Sequence, residues 1–234
     1  MKESVWFTVI ITLTVSAAAA FVPWEAYRYA VWKAKKRGKP LPLPPESIWQ
    51  KLGCILFCGG FTAVTAVCEP PWKALFAAGF VLVACFGICV DEMIRMIGNE
   101  MVLGLFGAGI LYRFLSGGWR ALLSSLEATG LILLLFIAAA FLTKLIASSG
   151  GVGMGDVKLA MVGAFIAGTE NFVPYVVGMS AAMIGYILCK FKLRTLTRRS
   201  AFPMCLPLMA GLLFSVSQKF FTTAVNAWNT ILWG

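Results

Sequence analysis

Long apolar stretches without alternation constrain this chain more than any motif does. Val5 to Val22, Ile48 to Val67, Trp72 to Val90, Met101 to Leu115 and Trp119 to Ala147 are each closed by charged, proline- or glycine-containing breaks. A hydrocarbon layer about 30 Å thick is crossed by about 20 apolar residues in a helix. Lipid offers backbone N–H and C=O groups no partner, so only helices or closed barrels cross it, and barrel strands alternate polar with apolar residues. The uninterrupted runs therefore predict an all-α fold, a polytopic transmembrane helical bundle. Composition agrees, with 60% of the 234 residues hydrophobic against about 45–50% in soluble domains.

Three further apolar stretches, Asp156 to Ala167, Phe172 to Cys189 and Ala201 to Phe221, bring the expected spans to eight. The whole of 1–234 reads as a single membrane-embedded domain. The first span resembles a signal peptide, with Ala17 to Ala20 near its end. Its flanks favour a retained span: Lys2 is balanced by Glu3, while the next loop carries Arg28, Lys33, Lys35, Lys36, Arg37 and Lys39. Cytoplasmic loops are enriched in Lys and Arg, which puts the N-terminus outside and residues 23–47 inside as a short basic cytoplasmic connector. Pro40, Pro42, Pro44 and Pro45 make the end of that connector extended. A second basic loop, with Lys190, Lys192, Arg194, Arg198 and Arg199, falls on the same side of an eight-span chain.

The formal net charge of +10 comes from these loops, so it speaks for orientation and anionic lipid rather than nucleic acid. Histidine is absent, which removes serine–histidine and cysteine–histidine hydrolysis and the usual zinc enzymes. Of the seven cysteines, Cys54/Cys58 and Cys85/Cys89 each repeat after one helical turn. Two such pairs are enough ligands for a metal in principle, but with no histidine beside them they read as small apolar packing residues.

Asp91 and Asp156 are the only aspartates, and each stands at the edge of an apolar run. Acids in such positions are costly and are kept for function. Asp156 ends the segment Ser148 to Asp156, SSGGVGMGD, in which Gly150, Gly151, Gly153 and Gly155 allow a sharp turn and a close approach to an extended peptide. In the eight-span topology both aspartates lie at the cytoplasmic face. Two adjacent carboxyl groups share one proton, so one takes a proton from water while the other polarises a carbonyl. That chemistry needs no metal and no cofactor.

Gly153-Met154-Gly155-Asp156, continuing Val157-Lys158-Leu159, resembles the GxGD signature of prepilin peptidases, a family of intramembrane aspartic proteases. Asp91 followed by Ile97-Gly98-Asn99 is similar to the family's second motif, an aspartate and then an Ile-Pro-Asn element, with Gly98 where the family has proline. The resemblance implies catalysis by Asp91 and Asp156, with Gly153, Gly155, Lys158 and Asn99 at the substrate. It implies cleavage of a basic leader after glycine in type IV prepilins or pseudopilins, at the cytoplasmic face of the inner or plasma membrane. Many members carry a cysteine-rich zinc domain after the first span; residues 23–47 contain no cysteine. The rival reading is a small transporter or channel in which the two aspartates relay protons or cations.

Overall fold

The computed structural model describes residues 2–38, 40–44, 48–146, 153–192, 203–219 and 222. Gly150 and Gly151, the basic residues Arg194, Arg198 and Arg199, and the C-terminal tail from 223 onward lie outside the described residues. Among the described residues there are helices and turns and no strand. The chain divides into two compact units, residues 1–94 with 216–234, and residues 95–215.

The first unit contains α1 (Lys2–Ala19), α2 (Val22–Lys36), α3 (Ile48–Cys68) and α4 (Pro71–Ile94). α1 packs on α3, α2 on α4, and α3 on α4. Small residues set these contacts, as expected where helices associate by close backbone approach. Gly59 of α3 faces the Ser16 hydroxyl of α1 so closely that a methyl there would collide with it. Ala26, Ala30 and Ala34, four residues apart on one face of α2, are fully buried. The segment expected to be a connector is thus helical over most of its length, because its alanine stripe finds a surface in α4. α1 and α2 meet at a bend of 40°. α4 begins at Pro71, a residue suited to a first turn because its missing N–H would be unpaired there.

The second unit contains α5 (Asn99–Ile146), α6 (Met154–Ala167), a 3-10 turn (Thr169–Asn171), α7 (Phe172–Lys192) and most of α8 (Cys205–Val216). α5 is broken where the sequence predicts the end of a span: Gly118 has φ +59° and ψ −141°, a region open to glycine and costly to other residues. α6 is the centre of the unit, with Leu159, Ala160 and every residue from Val162 to Ala167 buried. Phe165 meets Phe106 of α5 at 5.0 Å between ring centroids. On another side the α7 residue Tyr175, itself fully buried, donates its hydroxyl to the Ala160 carbonyl at 3.2 Å. Gly163 leaves the space its ring occupies, since a methyl there would lie 2.7 Å from the Tyr175 oxygen.

Among the described residues, four helical segments are long and apolar enough to cross a membrane: Ile48–Cys68, Pro71–Ile94, Asn99–Phe141 and Thr169–Lys192. The bent pair Val5–Ala19 and Val22–Lys36 makes a fifth if counted as one. This is fewer than the eight expected spans, for local reasons. Two expected spans run together in α5 across its glycine break. Helices α6 and α8 have 14 and 12 residues, too few to span on their own.

Candidate functional site

Asp156 occupies the third position of α6, after the N-cap residue Gly153. The turn is closed by backbone N–H groups of Asp156 and Val157, which donate to the Gly153 carbonyl at 3.0 and 3.2 Å. Gly153 has φ −62° and ψ 132°, extended geometry that admits any residue, so its requirement for glycine is one of space. A Cβ at 153 would stand 2.7 Å from Asp156 Oδ2. The carboxylate folds back over the start of its own helix. There the helix dipole favours an anion by about 0.3–1 kcal/mol. Asp156 is half-buried, while Gly153, Met154 and Lys158 are exposed. The tip of α6 is therefore open and its body enclosed.

The second unit brings two sequence motifs together at this tip. Ile97, in the link before α5, lies 3.4 Å from where a Cβ of Gly155 would be. Lys158 Nζ points to Asn99 Oδ1 at 3.5 Å, the outer limit of a hydrogen bond. Asn99 is the exposed first residue of α5. Gly153, Gly155, Lys158 and Asn99, the residues expected at the substrate, thus border one exposed patch. The Lys158 amine is directed at the Asn99 amide.

Asp91 belongs to the first unit, and its position differs from expectation. The sequence reads as a span ending at Val90 with a polar interruption from Asp91 to Glu100. In the structure α4 continues to Ile94 and the break is confined to 95–98. Nothing in Asp91-Glu92-Met93-Ile94 opposes a helix, and Val90, Asp91 and Ile94 extend the buried stripe that includes Ala84 and Gly87. Asp91 is consequently 6% exposed, a carboxyl group on the inward face of the last turn of α4. The helix stops at Arg95, whose φ of +51° is the left-handed geometry that glycine commonly supplies at this place.

One polar cluster has no counterpart in the sequence reading. Arg113, in the middle of an expected span, is 5% exposed. Its guanidinium donates to Ser125 Oγ at 2.8 Å, Ser124 Oγ at 2.7 Å, the Ala121 carbonyl at 3.1 Å and Glu170 Oε2 at 2.8 Å. Ser124 Oγ also donates to Glu170 Oε1 at 3.0 Å. These bonds tie the two sides of the α5 break to the turn after α6. An arginine inside an apolar run is itself a signal that a partner is needed. Glu127, the other acid within an expected span, is exposed.

Among the described residues no group of three or more His, Cys, Asp or Glu side chains is arranged to hold a metal ion. No protein-family model, curated protein or solved structure matches the chain.

Proposed function

We propose that this chain is an intramembrane aspartic endopeptidase that removes the short basic leader from type IV prepilin-like proteins. The reading assigns Asp91 and Asp156 the two catalytic roles, one as base to the attacking water and the other as proton donor to the carbonyl. The substrate strand runs over Gly153 and Gly155, whose lack of side chains leaves backbone groups accessible for pairing. Lys158 and Asn99 flank it. In this reading the eight apolar stretches are eight spans of the inner or plasma membrane, the N-terminus is outside, and cleavage takes place at the cytoplasmic face. The surrounding bilayer is the chain's other partner.

The observation that carries the reading is the meeting of two separate motifs at the tip of α6. The GxGD segment and the Ile97-Gly98-Asn99 segment are more than fifty residues apart in sequence, yet Gly155 adjoins Ile97 and Lys158 reaches Asn99. The test is cleavage of a purified prepilin by the purified protein in detergent, followed by N-terminal sequencing of the product. Asp91→Asn and Asp156→Asn are each expected to abolish cleavage while the helical circular dichroism and melting temperature stay near wild type. Cleavage by the folded double variant would sink the proposal.

A further inference from the structure

The four cysteines at helical spacing have a use that packing alone does not explain. Because α3 packs on α4, the pair Cys54/Cys58 faces the pair Cys85/Cys89. Cys58 Sγ lies 3.3 Å from Cys85 Sγ, with both residues buried. Among the described residues no three of these side chains converge to hold a metal ion. Cys54, Cys85 and Cys89 line a cavity of about 260 Å3, together with the polar side chains of Gln50 and Glu92. Cys54 and Cys89 are partly exposed while Cys58 and Cys85 are buried, so the cluster has an outer and an inner end.

A buried cysteine on its own is a small apolar side chain. A buried Cys58–Cys85 contact, beside a polar-rimmed cavity that Cys54, Cys85 and Cys89 line, makes a place where a small sulfur reagent can enter and meet a second thiol at once. We propose that this is a thiol–disulfide exchange site whose substrate class is a low-molecular-weight disulfide, and whose oxidised form joins α3 to α4 through Cys85. The inference stands apart from the protease reading.

The steps balance. The Cys54 thiolate attacks one sulfur of the disulfide; a Cys54–sulfur bond forms, the reagent's sulfur–sulfur bond breaks, and the first thiolate leaves to take up a proton. Cys85, its proton released to water in the cavity, then attacks Cys54 Sγ and expels the second thiolate. Cys58, in contact with Cys85, can take over the bond by a further exchange that frees Cys54. Two protein thiols are oxidised and one disulfide is reduced to two thiols. Closing the 3.3 Å contact to a bond of about 2.05 Å asks for a movement of little more than 1 Å.

The experiment uses the full chain in detergent with 4,4′-dithiodipyridine as the disulfide. The expected product has lost two hydrogens without retaining the reagent at this site, and peptide mapping links the α3 and α4 segments through Cys85. Exposed Cys189 is capped by a single adduct in the same sample and serves as the internal control. Cys54→Ser is expected to slow formation of the link at least tenfold, and Cys68→Ser to leave its rate unchanged. Brief alkylation of the native wild type, which needs no variant, is expected to mark Cys54 or Cys89 before Cys58. Stable single adducts on Cys54 with no linked peptide, an unchanged rate in Cys54→Ser, or first alkylation at Cys58 would each overturn the proposal.

Discussion

A methyl group at position 153 would stand closer to Asp156 Oδ2 than carbon and oxygen can pack, so the carboxylate would have to swing away from the tip of α6. Displacing a reacting group by about 1 Å can cost about a hundredfold in rate. Gly153→Ala is therefore expected to lower prepilin cleavage at least tenfold. Because the residue is exposed and its backbone is ordinary, the same change moves unfolding free energy by less than about 1 kcal/mol. Cleavage kinetics and melting of one preparation check both parts. The Arg113 cluster gives the opposite pattern. Arg113→Ala removes the guanidinium bonds to Ser125, Ser124, Ala121 and Glu170 and leaves a space in the core of the second unit, and is expected to destabilise by about 2–4 kcal/mol. Glu170 has a side chain that is 56% exposed, so solvent screens its pair and Glu170→Gln is expected to cost about 1 kcal/mol or less. Denaturant unfolding of the two variants in the same detergent distinguishes them.

At the level of helices, the break in α5 and the end of α4 are built differently. Gly118 holds a conformation that a Cβ opposes, and Gly118→Ala is expected to destabilise by about 1–3 kcal/mol, read by circular dichroism during unfolding. Arg95 already bears such a strain, which an exposed residue at a helix end tolerates because its neighbours define the turn. The difference in kind explains what was legible. Ser116-Gly117-Gly118 announces its break through composition. Asp91-Glu92-Met93-Ile94 announces nothing, because a charged pair reads as the end of an apolar run whether or not the hydrogen bonds continue. The error came from treating polarity as a helix boundary: hydropathy marks the solvent, while capping and backbone geometry mark the end. α2 was obscured in the same way, since six basic residues in its neighbourhood hide an alanine stripe that is apolar only on one face.

For the molecule as a whole, each apolar stretch expected to be a span contains helix among its described residues. The helical class was therefore readable from hydropathy alone. The candidate site was readable only in part. Gly153 to Lys158 form a contiguous motif, but the approach of Lys158 to Asn99 spans 59 residues of separation that no periodicity encodes. Arg113 and Glu170, 57 residues apart, were missed for the same reason: a local pattern shows that a charge needs a partner and does not say which. The proposed eight-span orientation has its own test. Reporters fused after Arg37 and after Lys192 are expected to signal from the cytoplasm, and one after Glu69 from the outside; opposite signals from the first two would reject the topology.

The shortness of α6 acts on the bilayer itself. Fourteen residues advance about 21 Å along a helix axis, roughly 9 Å less than the oily layer is thick. Its C-terminal end is enclosed by the Gly168 turn, where the cap N–H returns to Ala164. The deficit therefore falls at the opposite end, where Asp156 and Val157 turn their N–H groups back to the Gly153 carbonyl and the Asp156 side chain is half-buried. Membrane embedding then requires a dimple in the headgroup layer over that end, carrying water down to the depth of the half-buried Asp156, where the proposed peptidase would cut its substrate.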